Sequence, residues 1–197
     1  YEPSDRTKLD FDFSSSQNDL NLFSKLSDND NDGFATRFKL SKTLVDSLGG
    51  WSINLISNLD YISKDFRTIE RLYNPEFNRD WNINISTTNG SINELNNQLL
   101  NVNELIFSSL DFGQINYLFE QVNFSENFNG NRHILKTSLK AGLFNMESNA
   151  SVLNTTATDT KSIFLRSNTT LKYGGKKIWG GIHHSMESNK KKLISLD

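Results

Sequence analysis

The sequence has no cysteine, no long apolar run and no excess of one charge, and each absence excludes a class of protein. Without cysteine the chain forms no disulfides and no thiolate metal sites. A membrane helix needs about 18 consecutive apolar residues, and the sequence has no such run, whereas a strand of a membrane barrel needs only about ten alternating residues. The formal charge of −2 provides no electrostatic attraction for nucleic acid, so we expect no nucleic-acid partner.

Catalytic motifs are missing as well. The sequence contains no nucleophile elbow, phosphate-binding loop or dinucleotide fingerprint. The three histidines do not suggest a zinc site, because His183 and His184 would point to opposite faces of a strand and His133 is distant in sequence. We therefore predict that the chain is not an enzyme and has no catalytic residues.

The composition favours a folded chain made of strands. Asn and Ser supply about a quarter of the 197 residues, and both disfavour helix interiors. Aromatic residues reach 11%, with fourteen Phe, whereas disordered chains are poor in aromatics. The length fits one domain, so we interpret residues 1–197 as a single unit.

Alternation of apolar and polar residues is the main structural signal. From Trp51 to Tyr61 the odd-numbered positions are apolar or aromatic, apart from Ser57, and the even-numbered positions are mainly polar. A period of two is typical of a β-strand with two different faces. The pattern recurs and predicts strands near residues 7–13, 20–26, 34–44, 81–85, 115–119, 133–141, 144–152, 163–173 and 178–186. Residues 95–106 also fit helical spacing, and there we favour a strand.

Turn-forming residues separate these predicted strands. Residues 28–33, 49–50, 174–177 and the vicinity of Gly142 have the chemistry of tight turns. Residues 125–132 are interpreted as a loop rich in Asn and Gly, residues 190–192 as a solvated turn, and residues 64–80 as a long surface loop. The predicted fold is therefore an all-β, antiparallel up-and-down meander.

Charge is concentrated on one side of the predicted strands. Apart from Lys42, their apolar sides carry no formal charge. The opposite sides carry Asp10, Asp12, Arg37, Lys39, Asp60, Lys136, Lys140, Glu147, Arg166 and Lys172. A Lys or Arg on the lipid side of a membrane barrel costs about 2–4 kcal/mol at mid-depth, so this segregation favours part of a transmembrane β-barrel. Trp51, Tyr61, Trp81 and Tyr173 lie at predicted strand ends, where their rings would meet the lipid headgroups.

Two other architectures fit the same alternation. A soluble β-sandwich also places apolar residues inside and polar residues outside, and an extended open sheet is a further alternative. Polar residues on the proposed lipid side support these alternatives: Ser57, Thr137, Ser148, Ser167 and Thr169.

Two stretches carry a resemblance to a known group of proteins. Residues 66–71 with 76–81 read FRTIER and EFNRDW, and residues 124–133 read FSENFNGNRH. They resemble segments of very large, strand-rich outer-membrane or cell-surface β-barrel proteins of Bacteroidota. The resemblance implies a location in the Gram-negative cell envelope and membership in a longer polypeptide, and it implies no catalytic residues. The ending Ser195-Leu196-Asp197, which lacks the usual terminal aromatic residue, favours a fragment of such a barrel.

The loop at residues 64–80 is a candidate binding segment. It carries balanced charges among aromatic residues, at Arg67, Glu70, Arg71, Glu76, Arg79 and Asp80. Such a loop could fold over a barrel mouth or hold a partner through paired charges. Surface ion pairs worth at most about 1 kcal/mol each are the simpler interpretation.

A second candidate site is the acidic run Asp28-Asn29-Asp30-Asn31-Asp32-Gly33. It matches the first half of a calcium loop, in which alternating oxygen ligands and a Gly at the sixth position surround the cation. The twelfth position is Lys39 instead of Glu, so the match is incomplete. Weak calcium binding by Asp28, Asp30 and Asp32 is one hypothesis and an acidic hairpin turn is the other; we expect no other cofactor.

These observations predict an outer-membrane barrel component that serves as a channel, secretion scaffold or envelope-assembly scaffold. Its expected partners are outer-membrane lipid and other envelope proteins. The alternative function is a soluble envelope β-domain, in the periplasm or at the cell surface, that binds glycan or protein through exposed aromatic residues.

Overall fold

The described part of the chain forms one antiparallel sheet of nine strands, in which each strand pairs with the next in sequence. The computed structural model describes residues 1–18, 32–68, 73–83, 96–125, 127–175 and 177–194. Its elements are β1 (Thr7–Gln17), β2 (Asp32–Leu48), β3 (Trp51–Ile62), α1 (Phe77–Asp80), β4 (Gln98–Ser109), β5 (Gly113–Phe124), β6 (Phe128–Ala141), β7 (Phe144–Ala157), β8 (Thr160–Gly174) and β9 (Trp179–Leu193). The predicted all-β meander is confirmed.

The sheet is open. β1 and β9 are its two edges, so the described strands do not close into a barrel, and they lie in one sheet, not in the two layers of a sandwich. The sandwich alternative is therefore wrong for the described part of the chain. The sequence could not exclude it, because alternation specifies two faces for each strand but does not specify what covers each face.

The two ends of the sheet differ in the length of their connections. At the turn end, β2 joins β3 through Gly49 and Gly50, both at positive φ, and the β4–β5, β6–β7 and β8–β9 turns are also short. At the opposite, loop end, residues 63–97 join β3 to β4; we call the described parts of this segment, residues 63–68, 73–83 and 96–97, the connection. The tight turns predicted at residues 49–50 and near Gly142 are confirmed.

The register gives the sheet two faces of different chemistry. One face contains Ile53, Leu55 and their cross-strand neighbours Phe107 and Leu105, and we call it the apolar face. The other contains Asn54 with Asp60 and its partner Arg37, and we call it the polar face. Lys42 lies opposite Leu55 on the apolar face, as the sequence predicted.

The apolar face also carries charges that the alternation did not reveal. Lys161 pairs with Lys192 and Ile163 pairs with Lys190, which places three lysines on this face at the loop end of β8 and β9. Residues 190–192 are thus part of β9, and the prediction of a turn there is wrong. Cross-strand pairing with β8 extends the strand past its last apolar residues.

Two further predictions are corrected by long-range packing. Residues 128–132, assigned to an Asn- and Gly-rich loop, belong to β6, and the turn occupies only the few residues between β5 and β6. Trp81, expected to begin a strand, directly follows α1 and is buried. The proposed strand at 20–26 lies outside the described residues, whereas β4 confirms the strand favoured around residues 98–106.

The principal cluster of buried apolar residues lies on the polar face at the loop end. Phe124, Phe128 and Val122 are almost completely buried there, beneath Phe77 and Trp81 of the connection. The connection therefore provides the second layer over this part of the sheet. None of the helices in the described residues is long and apolar enough to cross a membrane.

Candidate functional site

The connection folds back onto the polar face and is fixed there by aromatic packing. α1 is a single turn, and its Phe77 lies 6.1 Å from Phe124 of β5 and 6.2 Å from Trp81, measured between ring centroids. Tyr73 stacks on Phe77 at 4.2 Å. Because a helix of one turn has little stability of its own, the aromatic packing must stabilise it.

Arg132 is the polar centre of this packing. Its guanidinium donates to Glu120 across the β5–β6 pair at 2.6 Å and lies 4.7 Å above the ring of Trp81. It also donates to the backbone carbonyl of Asp80 at 3.4 Å. With side chains only 20% and 16% exposed, the Arg132–Glu120 pair is shielded from solvent, so its charge-assisted hydrogen bonds are stronger than those of a surface pair.

Further hydrogen bonds tie the connection to distant strands. The Tyr73 hydroxyl donates to the side-chain carbonyl of Gln98 at the start of β4. The Asn82 amide donates to the Ser162 hydroxyl of β8 at 2.8 Å. Burial raises the pKa of the Tyr73 phenol well above its usual value, and the negative charge of Asp60 raises it further. The connection thus crosses the polar face from β4 to β8.

The rest of the polar face is a network of amide, hydroxyl and charged groups. Arg37 donates to both carboxylate oxygens of Asp60, at 2.8 and 2.9 Å. Asn116 donates to Glu104 at 2.7 Å, and the hydroxyls of Ser52 and Ser108 lie 2.8 Å apart. At the turn end this face forms an open cavity of about 840 Å³ that both serines line. Groups of this kind suit a surface in contact with water or a polar ligand.

Three of the predicted loop charges lie together on the surface of the connection, and Arg67 lies apart from them. Glu76 and Arg79 form an exposed ion pair at 2.8 Å, and Asp80 lies 3.9 Å from Arg79. Arg67 is exposed and donates to the carbonyl of Lys64 at 3.0 Å. Glu70 and Arg71 lie outside the described residues. Among the residues that are described, these contacts are local to the connection.

The proposed calcium ligands are only partly described. Asp32 begins β2, pairs with Gln17 and is exposed, whereas Asp28 and Asp30 lie outside the described residues. Within the described ranges, no three His, Asp or Glu side chains converge as a metal site. Calcium binding by this run stays a prediction.

Sequence reasoning missed the residues that form the site. Trp81, Arg132, Glu120 and Tyr73 meet only through the fold. One signal was present in the sequence, Gly130, because a glycine inside a strand often marks a place where another group approaches closely. In the structure a Cβ on Gly130 would lie 3.0 Å from Trp81 and from Phe128, so only a small residue fits beneath the indole. That glycine was instead taken as a sign of a loop.

Comparisons with protein-family models, with curated proteins and with solved structures found no match. The functional argument therefore rests on the geometry of the two faces and of the connection.

Proposed function

We propose that this chain is part of an outer-membrane β-barrel, with its apolar face toward lipid and its polar face toward an aqueous lumen that the connection narrows. The barrel would act as a channel or as a scaffold for secretion or envelope assembly, with outer-membrane lipid and other envelope proteins as its partners. The described contacts of the connection hold structure in place and supply no chemistry of their own.

The exposure of the apolar face carries this proposal. Phe11 is 67% exposed, Phe13 is 59% exposed and Ile182 is 70% exposed. Large contiguous apolar patches on a monomer mark contact with another protein or with a membrane. Here the exposed apolar residues extend from β1 to β9, which suits a lipid layer better than a single docking patch.

The height of the apolar face matches a bilayer. Trp51 and Tyr61 lie ten residues apart on β3, at its turn end and its loop end. At 3.3–3.4 Å per residue and the roughly 40° tilt of barrel strands, this separation spans about 25 Å across the membrane. That equals the height of the apolar band that aromatic girdles border in outer-membrane barrels.

The apolar stretch shifts diagonally across the sheet. On β1 it is centred on Phe11. Following the paired residues from each strand to the next leads from Phe11 to Lys190 of β9, so these two residues lie at the same level of the sheet. On β9 it lies between Ile182 and Met186, centred six residues closer to the turn end. In a barrel the strands are about 4.8 Å apart and tilted by about 40° from the membrane normal. The residues that lie within the membrane therefore shift along the chain by roughly one residue from each strand to the next, so a diagonal of about this size is expected for strands crossing a membrane.

The asymmetry of the two ends gives further support. The turn end carries short turns, whereas the loop end carries the two long segments of the sheet, residues 18–31 and 63–97, together with the short β5–β6 and β7–β8 turns. Outer-membrane barrels have short periplasmic turns and longer extracellular loops. By this criterion the turn end would face the periplasm.

One observation favours the alternative, a soluble envelope domain that binds glycan or protein. Near the loop end, a row of amides crosses the apolar face on β4–β7, at Asn101, Gln121, Asn131 and Asn154. Phe38 of β2 and Phe11 of β1 continue this row beyond Leu59, so exposed aromatic residues and amides share one level of the face, as on a sugar- or protein-binding surface.

The two functions differ in what a charge on the apolar face would do. We expect Leu135→Lys, on the apolar face of β6, to lower the stability of the chain folded into lipid vesicles by about 2–4 kcal/mol. Ser138→Lys, on the polar face of the same strand, is the matched control and should change stability little. Urea titration of the vesicle-bound chain, followed by tryptophan fluorescence, measures both variants.

Equal stability of the two lysine variants in vesicles would contradict the membrane assignment. So would release of the chain from membranes by carbonate or high salt without detergent. Either result would favour the soluble domain.

A further inference from the structure

A groove of about 510 Å³ lies on the polar face across β5–β9, beside the docked connection. Its lining includes two cations that form no ion pair within the described part of the chain, Lys136 of β6 and Arg166 of β8. Asn149 and Ser151 of β7 lie between them, since Lys136 pairs with Asn149 and Ser151 pairs with Arg166. The groove therefore presents two positive charges separated by one strand of neutral hydrogen-bonding groups.

Arg166 is held rigidly but is incompletely satisfied. Its guanidinium lies 4.0 Å above the ring of Phe164, which fixes the plane of the donor group. Its Nε is buried and has no hydrogen-bond acceptor among the described residues. A buried N–H without an acceptor is costly, so the described residues leave the hydrogen-bonding capacity of this guanidinium incompletely used.

The other charges around the groove compensate these two cations only in part. Arg132 and Glu120 neutralise each other at the loop-end boundary of the groove. Glu187 is directly opposite Arg166 in the register, yet the two side chains form no ion pair within 4.0 Å. Lys136 and Arg166 are two strands apart and offset by two residues along the strands, so their backbones are about 12 Å apart, a distance that two or three linked sugar rings carrying acidic groups can span.

We propose that this groove binds an anionic saccharide. An acidic group of the sugar accepts hydrogen bonds from Arg166, a second one lies near Lys136, and sugar hydroxyls bond to Asn149, Ser151 and Asn168. Arg suits carboxylate and phosphate because its planar group donates two parallel hydrogen bonds. Amide and hydroxyl side chains supply the orienting contacts that a polar ligand requires.

This inference goes beyond the proposed function, because it requires only that solvent reaches the polar face. It holds for a barrel lumen and for a soluble open sheet alike. Equal stability of the Leu135→Lys and Ser138→Lys variants, which would contradict the membrane assignment, would therefore leave this inference intact.

The test is titration calorimetry of the full chain with trigalacturonate, with neutral maltotriose and with inorganic phosphate, all at one salt concentration. We expect trigalacturonate to bind at least about tenfold more tightly than either of the other probes. Arg166→Gln and Lys136→Gln should each weaken binding by roughly tenfold, since each removes one charge-assisted contact. Glu187→Gln should strengthen binding a few-fold, because it removes a nearby negative charge.

Lys172→Gln is the matched control, since Lys172 lies on the polar face at the turn end of β8 and outside the groove. It should leave the affinity unchanged. Lys136 is exposed, so its variant reports on binding even if Arg166→Gln folds poorly. Circular dichroism checks the fold of every variant.

Three results would overturn the proposal. The first is no binding of trigalacturonate, and the second is equal affinity of the Lys136 variant and the unaltered chain. The third is phosphate or maltotriose binding as tightly as trigalacturonate, which would reduce the groove to a simple anion site or a neutral sugar site.

Discussion

Arg132 is held by groups from two separate parts of the chain: the carboxylate of Glu120 in β5, and the connection, which provides the ring of Trp81 and the carbonyl of Asp80. We expect Arg132→Gln to lower the free energy of unfolding by about 3 kcal/mol, because it leaves the shielded Glu120 carboxylate without its counter-charge. Urea titration followed by tryptophan fluorescence measures the loss.

Arg37→Gln is the matched control for this prediction, since Arg37 also pairs with a cross-strand carboxylate but is about half exposed. Its loss should be no more than about 1 kcal/mol. The double variant Arg132→Met with Glu120→Leu should recover most of the stability lost in Arg132→Gln. If both arginine variants lost the same stability, the special role of Arg132 would be refuted.

Tyr73 makes the stability of the connection depend on alkaline pH. Its pKa in the folded chain is raised above the usual value near 10, mainly by burial, so the folded state retains the proton that the unfolded state releases. The stabilising contribution is complete below pH 10 and is lost as the pH rises toward the folded-state pKa. We expect the free energy of unfolding to fall by at most about 1.4 kcal/mol per pH unit above 10.

Tyr73→Phe should reduce this slope between pH 9 and 11.5, because the variant has no phenolic proton at that position. Tyr173→Phe, which alters an exposed ring, is the control and should leave the slope as it is. An unchanged slope in Tyr73→Phe would assign the alkaline loss to other groups.

At the scale of elements, the connection depends on Phe77 for its place on the sheet. We expect Phe77→Ala to lower the free energy of unfolding by about 3–5 kcal/mol, because it opens a cavity between Trp81 and Phe124. The strand signal in circular dichroism should persist while the fluorescence of Trp81 shifts to longer wavelength. Phe112→Ala, at a turn where Phe112 stacks on Trp51, should cost no more than about 1.5 kcal/mol.

The first residues of the connection pass close to the start of β2. A Cβ added at Gly33 would lie 2.2 Å from the backbone of Phe66, whereas one added at Gly180 would meet no atom within 4 Å. We expect Gly33→Ala to lower the free energy of unfolding by about 1–3 kcal/mol. Gly180→Ala should change it by less than about 0.5 kcal/mol. Thermal or urea unfolding of the two variants tests the difference.

The strands could be predicted from the sequence, whereas the position of the connection could not. Alternation is a local property, and it located most of the described strands, including β3 almost to the residue. Trp81 and Ile83 show the same alternation over three residues without forming a strand. They pack against residues of β5 and β6, which are distant in sequence. The groove between Lys136 and Arg166 depends on register and twist, which no single strand contains.

At the scale of the whole molecule, the sequence predicted two faces but not the slope of the boundary between them. Lys161, Lys190 and Lys192 fall on the apolar face because the apolar stretch has moved toward the turn end by the time it reaches β8 and β9. A strand examined alone shows only whether a residue points up or down. The diagonal is visible only when all nine strands are aligned.

The strand count has a consequence for how such a sheet would be completed. Since neighbouring strands run in opposite directions and the described residues form nine strands, an odd number, β1 and β9 point the same way. Joining them directly would create a parallel seam in an otherwise alternating cylinder, whereas bacterial single-chain outer-membrane barrels have an even number of strands. A cylinder without such a seam therefore needs one, three or another odd number of added strands, so whole hairpins alone cannot complete it.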